Sequence, residues 1–303
     1  MKMKKLMTVA ATALCASVFA NTAVESSNIV GYQTITLPEG QEYGMYALPF
    51  DAVTSEDGMT LYDVFPNPLE SFTGGTMAAL ADQIMFWDNG AYRSLYLFKN
   101  ANVPARHGKW INPGVVPNAS WGTANQPTQL KLKGGTSFWI KRKTTAGETL
   151  PAKTVVVSGS VITKANGVAS YAITPATADA GAYTLVAAGF SAPFIPNPDL
   201  QTPAQPAIDW LAMGCTGGTM AALADQLMFW DNGAYRSLYL FKNDKVPARH
   251  NKWINPGVVP NVSWGTANQP SKVVIDPSVG FWYYRTKGAT AELNFQIQQP
   301  YSL

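Results

Sequence analysis

Between Gln83 and Leu97, apolar and polar residues alternate on either side of a single Asn-Gly pair. Alternation with period two marks a β-strand that lies between two unlike environments. Asn89-Gly90 suits the two central positions of a type I′ turn, both of which need positive φ, so the segment predicts a hairpin with a two-residue loop. That register sets Trp87 opposite Tyr92, Met85 opposite Ser94 and Gln83 opposite Tyr96. The other face carries Ile84, Phe86, Ala91, Arg93, Leu95 and Leu97; apart from Arg93 near the turn it is apolar, and a core is expected beneath it. The first face mixes rings with polar groups, a combination suited to a surface that can be wet or covered.

The hairpin occurs twice. Thr73–Pro127 returns as Thr216–Pro270, 143 residues on, with differences only at Ile84/Leu227, Ala101/Asp244, Asn102/Lys245, Gly108/Asn251 and Ala119/Val262. A duplication of this length predicts two like folding units. The second ring face consists of Gln226, Met228, Trp230, Tyr235, Ser237 and Tyr239.

The flanks have diverged but keep the order of elements. Asn28–Phe50 predicts two strands around the Pro38-Glu39-Gly40 turn, and about Thr154–Phe190 is read as its counterpart, with Ala182–Phe190 matching Tyr43–Phe50. Short helical turns are expected at Leu61–Phe65, Ala207–Leu211, Thr76–Ala81 and Thr219–Ala224, the last two capped by threonine. Gln129–Lys133 and Lys272–Ile275 predict short strands, followed by turns at Gly134-Gly135 and Asp276-Pro277-Ser278. Aromatic strands close each copy at Ser137–Lys141 and Gly280–Tyr284. Ala291–Ile297 predicts one more strand, with Leu293, Phe295 and Ile297 on one face.

No long stretch has helical periodicity. The expected fold is all-β: two tandem homologous sandwich or barrel-like modules with short helical turns. The expected division is a signal peptide over 1–20, module one over 21–143, a linker over 144–153, and module two with its C-terminal strand over 154–303.

Two fates are open to the ring face. It packs beneath the loop-rich segment Phe98–Trp121 of its own module, or it stays partly open and binds a glycan or another module. The candidate ligand- or partner-binding residues are therefore Trp87, Asp88, Asn89, Tyr92, Tyr96 and Arg106, with Trp230, Asp231, Asn232, Tyr235, Tyr239 and Arg249 in the second copy.

The N-terminus changes the charge balance. Lys2, Lys4 and Lys5 precede the apolar run Leu6–Phe19, which predicts a secretory signal cut after Ala20. Cleavage lowers Lys+Arg from 22 to 19, equal to the 19 Asp+Glu. A neutral chain lacks the basic surface that nucleic-acid binding requires, and it resists self-association weakly. Only Cys215 remains after cleavage, at the position of Phe72, and is expected to be a small core hydrophobe. The mature chain is expected outside the cytoplasm: extracellular, periplasmic or at the cell surface, with no transmembrane segment.

Candidate chemistry is sparse. His107 and His250, one per copy, lack the partner ligands of a metal site and are expected to be hydrogen-bonded loop residues. Asp82 and Asp88 sit at opposite ends of the first strand, roughly 20 Å apart at ~3.3 Å per residue, too far for a glycosidase pair. Thr73-Gly74-Gly75-Thr76 lacks the lysine and helix of a phosphate loop and reads as a turn. Asn118-Ala119-Ser120 and Asn261-Val262-Ser263 match the glycosylation acceptor pattern, though the alanine-rich leader points to a bacterial chain without that glycan. No cofactor is expected.

Asn28-Ile29-Val30-Gly31-Tyr32, Leu37-Pro38-Glu39-Gly40, Phe86-Trp87-Asp88-Asn89-Gly90-Ala91-Tyr92, Lys109-Trp110 and Phe138-Trp139-Ile140-Lys141-Arg142-Lys143 follow a recognisable order. The chain resembles a loose group of uncharacterised secreted bacterial β-modules, often encoded in many paralogous copies. The second copy departs from it at Val168-Ala169-Ser170-Tyr171. The resemblance implies export and modularity, and no catalytic residues. The expected function is a non-enzymatic structural or adhesion protein of the envelope or extracellular space, contacting a protein partner or another copy of itself. The alternative is a bivalent carbohydrate-binding protein, and beyond that a glycan-active enzyme.

Overall fold

A computed structural model describes residues 29–53, 55, 57–88, 90–114, 121–231, 233–257 and 265–301. The leader, the turn asparagines Asn89 and Asn232, and both acceptor triplets lie outside the described residues.

In the first half, β1 (Val30–Leu37), β2 (Tyr43–Ala47), β3 (Phe50–Asp51) and β4 (Met59–Thr60) lead into α1 (Leu61–Val64) and α2 (Pro68–Ser71). Next come β5 (Gln83–Asp88), β6 (Ala91–Phe98), β7 (Lys109–Ile111), β8 (Lys131–Leu132), β9 (Ser137–Lys141) and β10 (Lys153–Val161). The second half contributes β11 (Val168–Ile173), β12 (Ala182–Val186), β13 (Gln226–Asp231), β14 (Ala234–Phe241), β15 (Lys252–Ile254), β16 (Phe281–Arg285) and β17 (Leu293–Gln298).

The fold is all-β. Each half has a five-stranded antiparallel sheet, ordered β2-β9-β5-β6-β7 in the first and β12-β16-β13-β14-β15 in the second. A smaller sheet covers one face of each: β1-β10-β3 in the first half and β11-β17 in the second. The result is a sandwich in each half. Ile35 and Leu37 of β1 and Val155 and Val157 of β10 share a core with Ile84, Phe86, Leu95, Leu97, Phe138 and Ile140 of the larger sheet. The second core is built the same way, with Leu293, Phe295 and Ile297 of β17 on its lid, all buried. The alternation in the sequence thus sorts side chains as a two-sheet packing requires.

One expected boundary moves. Lys153–Val161, read as the end of a linker and the opening of module two, pairs along its length with β1, from Val30↔Ser160 to Leu37↔Lys153. It closes the first sandwich, as β17 closes the second on β11. The polar stretch 144–153 is therefore a connection inside the first unit; Leu150 O accepts from Gly40 N at 2.9 Å. The halves join through Ile162, whose side chain is already in the second core.

The local predictions divide by mechanism. Thr60 caps α1 through a reciprocal capping box with Asp63, which satisfies two otherwise orphaned donors. The predicted threonine caps at 76 and 219 are not formed: those 3-10 turns run Ala78–Leu80 and Ala221–Leu223, and Met77 and Met220 precede them without a side-chain bond. The helical turn predicted at Ala207–Leu211 is a hydrogen-bonded turn three residues later, with Cys215 N donating to Trp210 O at 3.0 Å. Lys272–Ile275 is reduced to a single bridge, Ile275 to Phe194.

Candidate functional site

Both hairpins form in the predicted register: Gln83↔Tyr96, Met85↔Ser94 and Trp87↔Tyr92, with Gln226↔Tyr239, Met228↔Ser237 and Trp230↔Tyr235 in the second half. Gly90 and Gly233 take φ of 81° and 80°, a left-handed backbone that glycine adopts without a Cβ penalty. On the predicted core face Ile84, Phe86, Leu95 and Leu97 are buried as expected, whereas Ala91 beside the turn is exposed. Arg93, the misfit there, pairs with Asp88 at 2.8 Å, and Arg236 pairs with Asp231 at the same distance.

Of the two fates open to the ring face, its turn end takes the second, contact with another module, and that module is the other half of the same chain. Around the turn ends, the ring faces of the two halves pack on each other. Met45, Trp139 and Trp282 form one buried cluster, flanked by Tyr43, Met85, Trp87, Leu185, Met228 and Trp230. The contacts are reciprocal. Trp87 meets Trp282 edge-on at 5.2 Å, and Trp230 meets Trp139 edge-on at 5.3 Å. Tyr92 lies 6.4 Å from Trp282, and Tyr235 lies 6.2 Å from Trp139. Because 87/230, 92/235 and 139/282 are each 143 apart, the seam has a pseudo-two-fold, like the self-complementary interface of a symmetric dimer. Edge-to-face pairs add about 0.5–1.5 kcal/mol each beyond their area.

Polar bonds fasten the rim. Trp230 Nε1 donates to Tyr43 O at 2.9 Å, Trp282 Nε1 to Tyr235 Oη at 3.2 Å, and Ser137 Oγ to Val186 O at 2.7 Å. Ala47 N donates to Ser278 O at 2.7 Å. The backbones approach so closely that a Cβ on Gly280 would lie 2.7 Å from Tyr46 O. Burial raises the Tyr92 phenol well above its ordinary pKa, with the Tyr235 hydroxyl beside it raising it further.

The far end of the ring face follows the plainer expectation. Tyr96 packs with Ala81, Phe98, Ile111, Ala78 and Val103, and Tyr239 has the same neighbours in its own half. Arg106 lies over the Phe98 ring at 4.7 Å and Arg249 over Phe241 at 4.8 Å. Trp121 packs elsewhere, on the core side against Phe86 at 5.4 Å.

The ten candidates among the described residues are thus not brought to one open site; Asn89 and Asn232 lie outside the described residues. Tyr96 and Tyr239 are buried, the arginines lie on rings at the loop, and Trp87 and Trp230 are occupied at the seam. Tyr92 and Tyr235 keep 46% and 44% exposure as its rim. Trp139, Trp282 and Met45 were missing from the candidates. Trp139 and Trp282 stand on strands the sequence already marked as aromatic, and the 143-residue offset pairs them.

Two concavities remain notable. One of about 480 Å³ lies between the halves and is lined by Glu39, Glu42, Tyr43, Trp230 and Gly233. The other, about 610 Å³ in the second half, has walls such as Phe190, Pro193, Phe194, Ile208 and Ile297, and no titratable group lines it.

The buried charges are structural. Asp225 accepts from Arg285 Nη1 at 2.6 Å, Tyr283 Oη at 2.7 Å, Thr216 N at 2.8 Å and Thr286 N at 2.9 Å. Asp82 accepts from Thr73 N at 2.8 Å and Lys143 N at 2.5 Å, and burial raises its pKa. Cys215 is a core thiol, pushed up to about 12 by burial. The histidines differ between the copies: His107 Nδ1 is buried without the expected hydrogen-bond partner, whereas His250 Nδ1 stands 3.1 Å from Asp244 Oδ1, where the first copy has Ala101. Among the described residues no cluster of three metal-ligating side chains occurs, and no helix is long and apolar enough to cross a membrane.

No protein-family model matches this chain, and comparison with curated proteins finds no match.

Proposed function

We propose that this chain is an exported, non-enzymatic structural or adhesion component of the cell envelope or extracellular space, acting through protein–protein surface contacts. The observation that carries the reading is the seam. Aromatic faces that an independent binding module would offer to a ligand instead lock the two halves into one body. What that body offers outward is strand surface and rim, the kind of feature that proteins meet by edge and face contact. The leader and the neutral mature charge fit export and assembly.

Light scattering of the purified chain tests the reading, together with reducing-end assays on a panel of polysaccharides. Concentration-dependent oligomers with no release of sugar ends are expected. Turnover abolished by a single aspartate substitution would overturn it in favour of a glycan-active enzyme.

The carbohydrate reading keeps one observation in its favour, the cleft that Glu39, Glu42 and Trp230 line together. A ring beside hydrogen-bonding carboxylates suits a sugar face. Polysaccharide pull-down lost on Glu42→Gln, with the fold intact, would favour that reading over the first.

A further inference from the structure

The edge strand β1 is unusual for an exposed edge. The order β1-β10-β3 leaves one side of β1 without a strand partner among the described residues. Ile29 O accepts from Val161 N at 2.8 Å, which fixes the phase of the ladder: odd-numbered residues of β1 direct their backbone groups at β10. The N–H and C=O groups of Val30, Tyr32, Thr34 and Thr36 therefore face outward. Among the described residues, of these groups Thr36 O alone has a partner, accepting from the Tyr46 hydroxyl at 3.1 Å. The side chains beside this edge are exposed and apolar or small. Tyr32 is 75% exposed, Val156 59% and Val30 45%, and Val156 lies directly across from Thr34.

Natural edges are blunted by lysine, proline, bulges or very short strands. The terminal strands β7 and β15 are three residues long, each carries a lysine, Lys109 or Lys252, and each is covered on its outer side by a bridge from Pro127 or Pro270. In the second half, the outward positions of β11 and β17 are mostly polar, Ser170, Asn294, Gln296 and Gln298, with Val168 and Ala172 among them. β1 itself has none of these defences, and its partner has a lysine only at its first residue, Lys153. Val30–Leu37 contains no charge and no proline, and its pairing with Lys153–Ser160 is unbroken over eight residues, with Lys153 at the far end from Tyr32 as the one charge.

We propose that the outer edge of β1 is a docking strand whose occupant is β1 of a second copy, joined antiparallel about a two-fold axis. Self-pairing fits the chemistry. Even-numbered residues meet even-numbered residues, with Tyr32 near the axis. Neither side brings a charge that the other would repel. A two-fold contact also closes on itself, so the two three-stranded sheets merge into one of six strands and growth stops at a dimer. The proposal rests on the assembly reading above and names its surface.

Sedimentation velocity on the purified chain, over two decades of concentration, tests it. The wild type is expected to pass from monomer to dimer. Thr34→Pro removes an outward N–H and no bond to β10, so it is expected to weaken the dimer at least about tenfold, a shift of about 1.4 kcal/mol, with an unchanged melting curve at concentrations where both chains are monomeric. Tyr32→Lys, at an exposed side chain, sets like charges together near the axis and is expected to do the same should the proline variant misfold. A wild type that stays monomeric throughout overturns the proposal. A dimer that survives both folded variants also overturns it, but leaves the assembly reading standing with its contact elsewhere.

Discussion

Two equivalent aspartates show how far a duplication can diverge at single residues. Asp225 is buried in a complete shell: Arg285, Tyr283 and two backbone N–H groups all donate to it. In the first half Ile140 replaces Tyr283, and Arg142 turns to the carbonyls of Pro38 and Pro151, so Asp82 keeps only its two backbone donors at hydrogen-bond range. Asp225→Asn leaves the buried Arg285 cation without its counter-charge, and a loss of about 3–5 kcal/mol in urea denaturation is expected. Asp82 predicts a pH effect instead. Burial raises its folded-state pKa, so between the unfolded and folded values the native state binds more protons. Its contribution is then most favourable at acid pH and declines as pH rises through the folded value. Wild-type stability minus that of Asp82→Asn should therefore decrease from acid toward neutral pH and then level off; a difference that grows would contradict the burial argument.

At the scale of elements, the hairpins are where local chemistry decides the outcome. Gly90 and Gly233 have open space around a hypothetical Cβ, so substitution there costs backbone strain alone. Gly90→Ala and Gly233→Ala are each expected to destabilise by about 1–2 kcal/mol in thermal or urea unfolding, and by like amounts. These turns were legible because Asn-Gly and period-two alternation act within a dozen residues. β10 was not, because it meets β1 more than a hundred residues away in the chain. Nothing in Thr154–Val161 names that partner, and its counterpart β17 has drifted too far for the repeat to reveal it. The caps divide the same way: Thr60 has Asp63 three residues on to answer it, whereas Thr76 is one residue too early for the turn that forms.

At the scale of the whole molecule, the ring faces required each other. The sequence shows that each hairpin has an amphipathic outer side, but amphipathicity does not say what covers it, and a face that is nearly its own copy is complementary to itself. Gly280 records this. It occupies the position of Ser137, whose hydroxyl bonds to Val186 across the seam, and a Cβ at 280 would lie 2.9 Å from that Ser137 Oγ, so only one of the two sites has room for a side chain. A double-mutant cycle between Trp87 and Trp282 measures the seam directly. Trp282→Ala alone is expected to cost about 3–5 kcal/mol, the usual range for a buried indole. If the rings meet, that cost falls when Trp87 is already alanine, with a coupling of about 0.5–1.5 kcal/mol. The pseudo-symmetric pair Trp139 and Trp230 should give a coupling of the same sign and size, while Trp87 with Trp230, on opposite sides of the axis and without a ring contact, should give almost none. Additivity in both cross-seam cycles would mean that the two sandwiches do not share this face in solution.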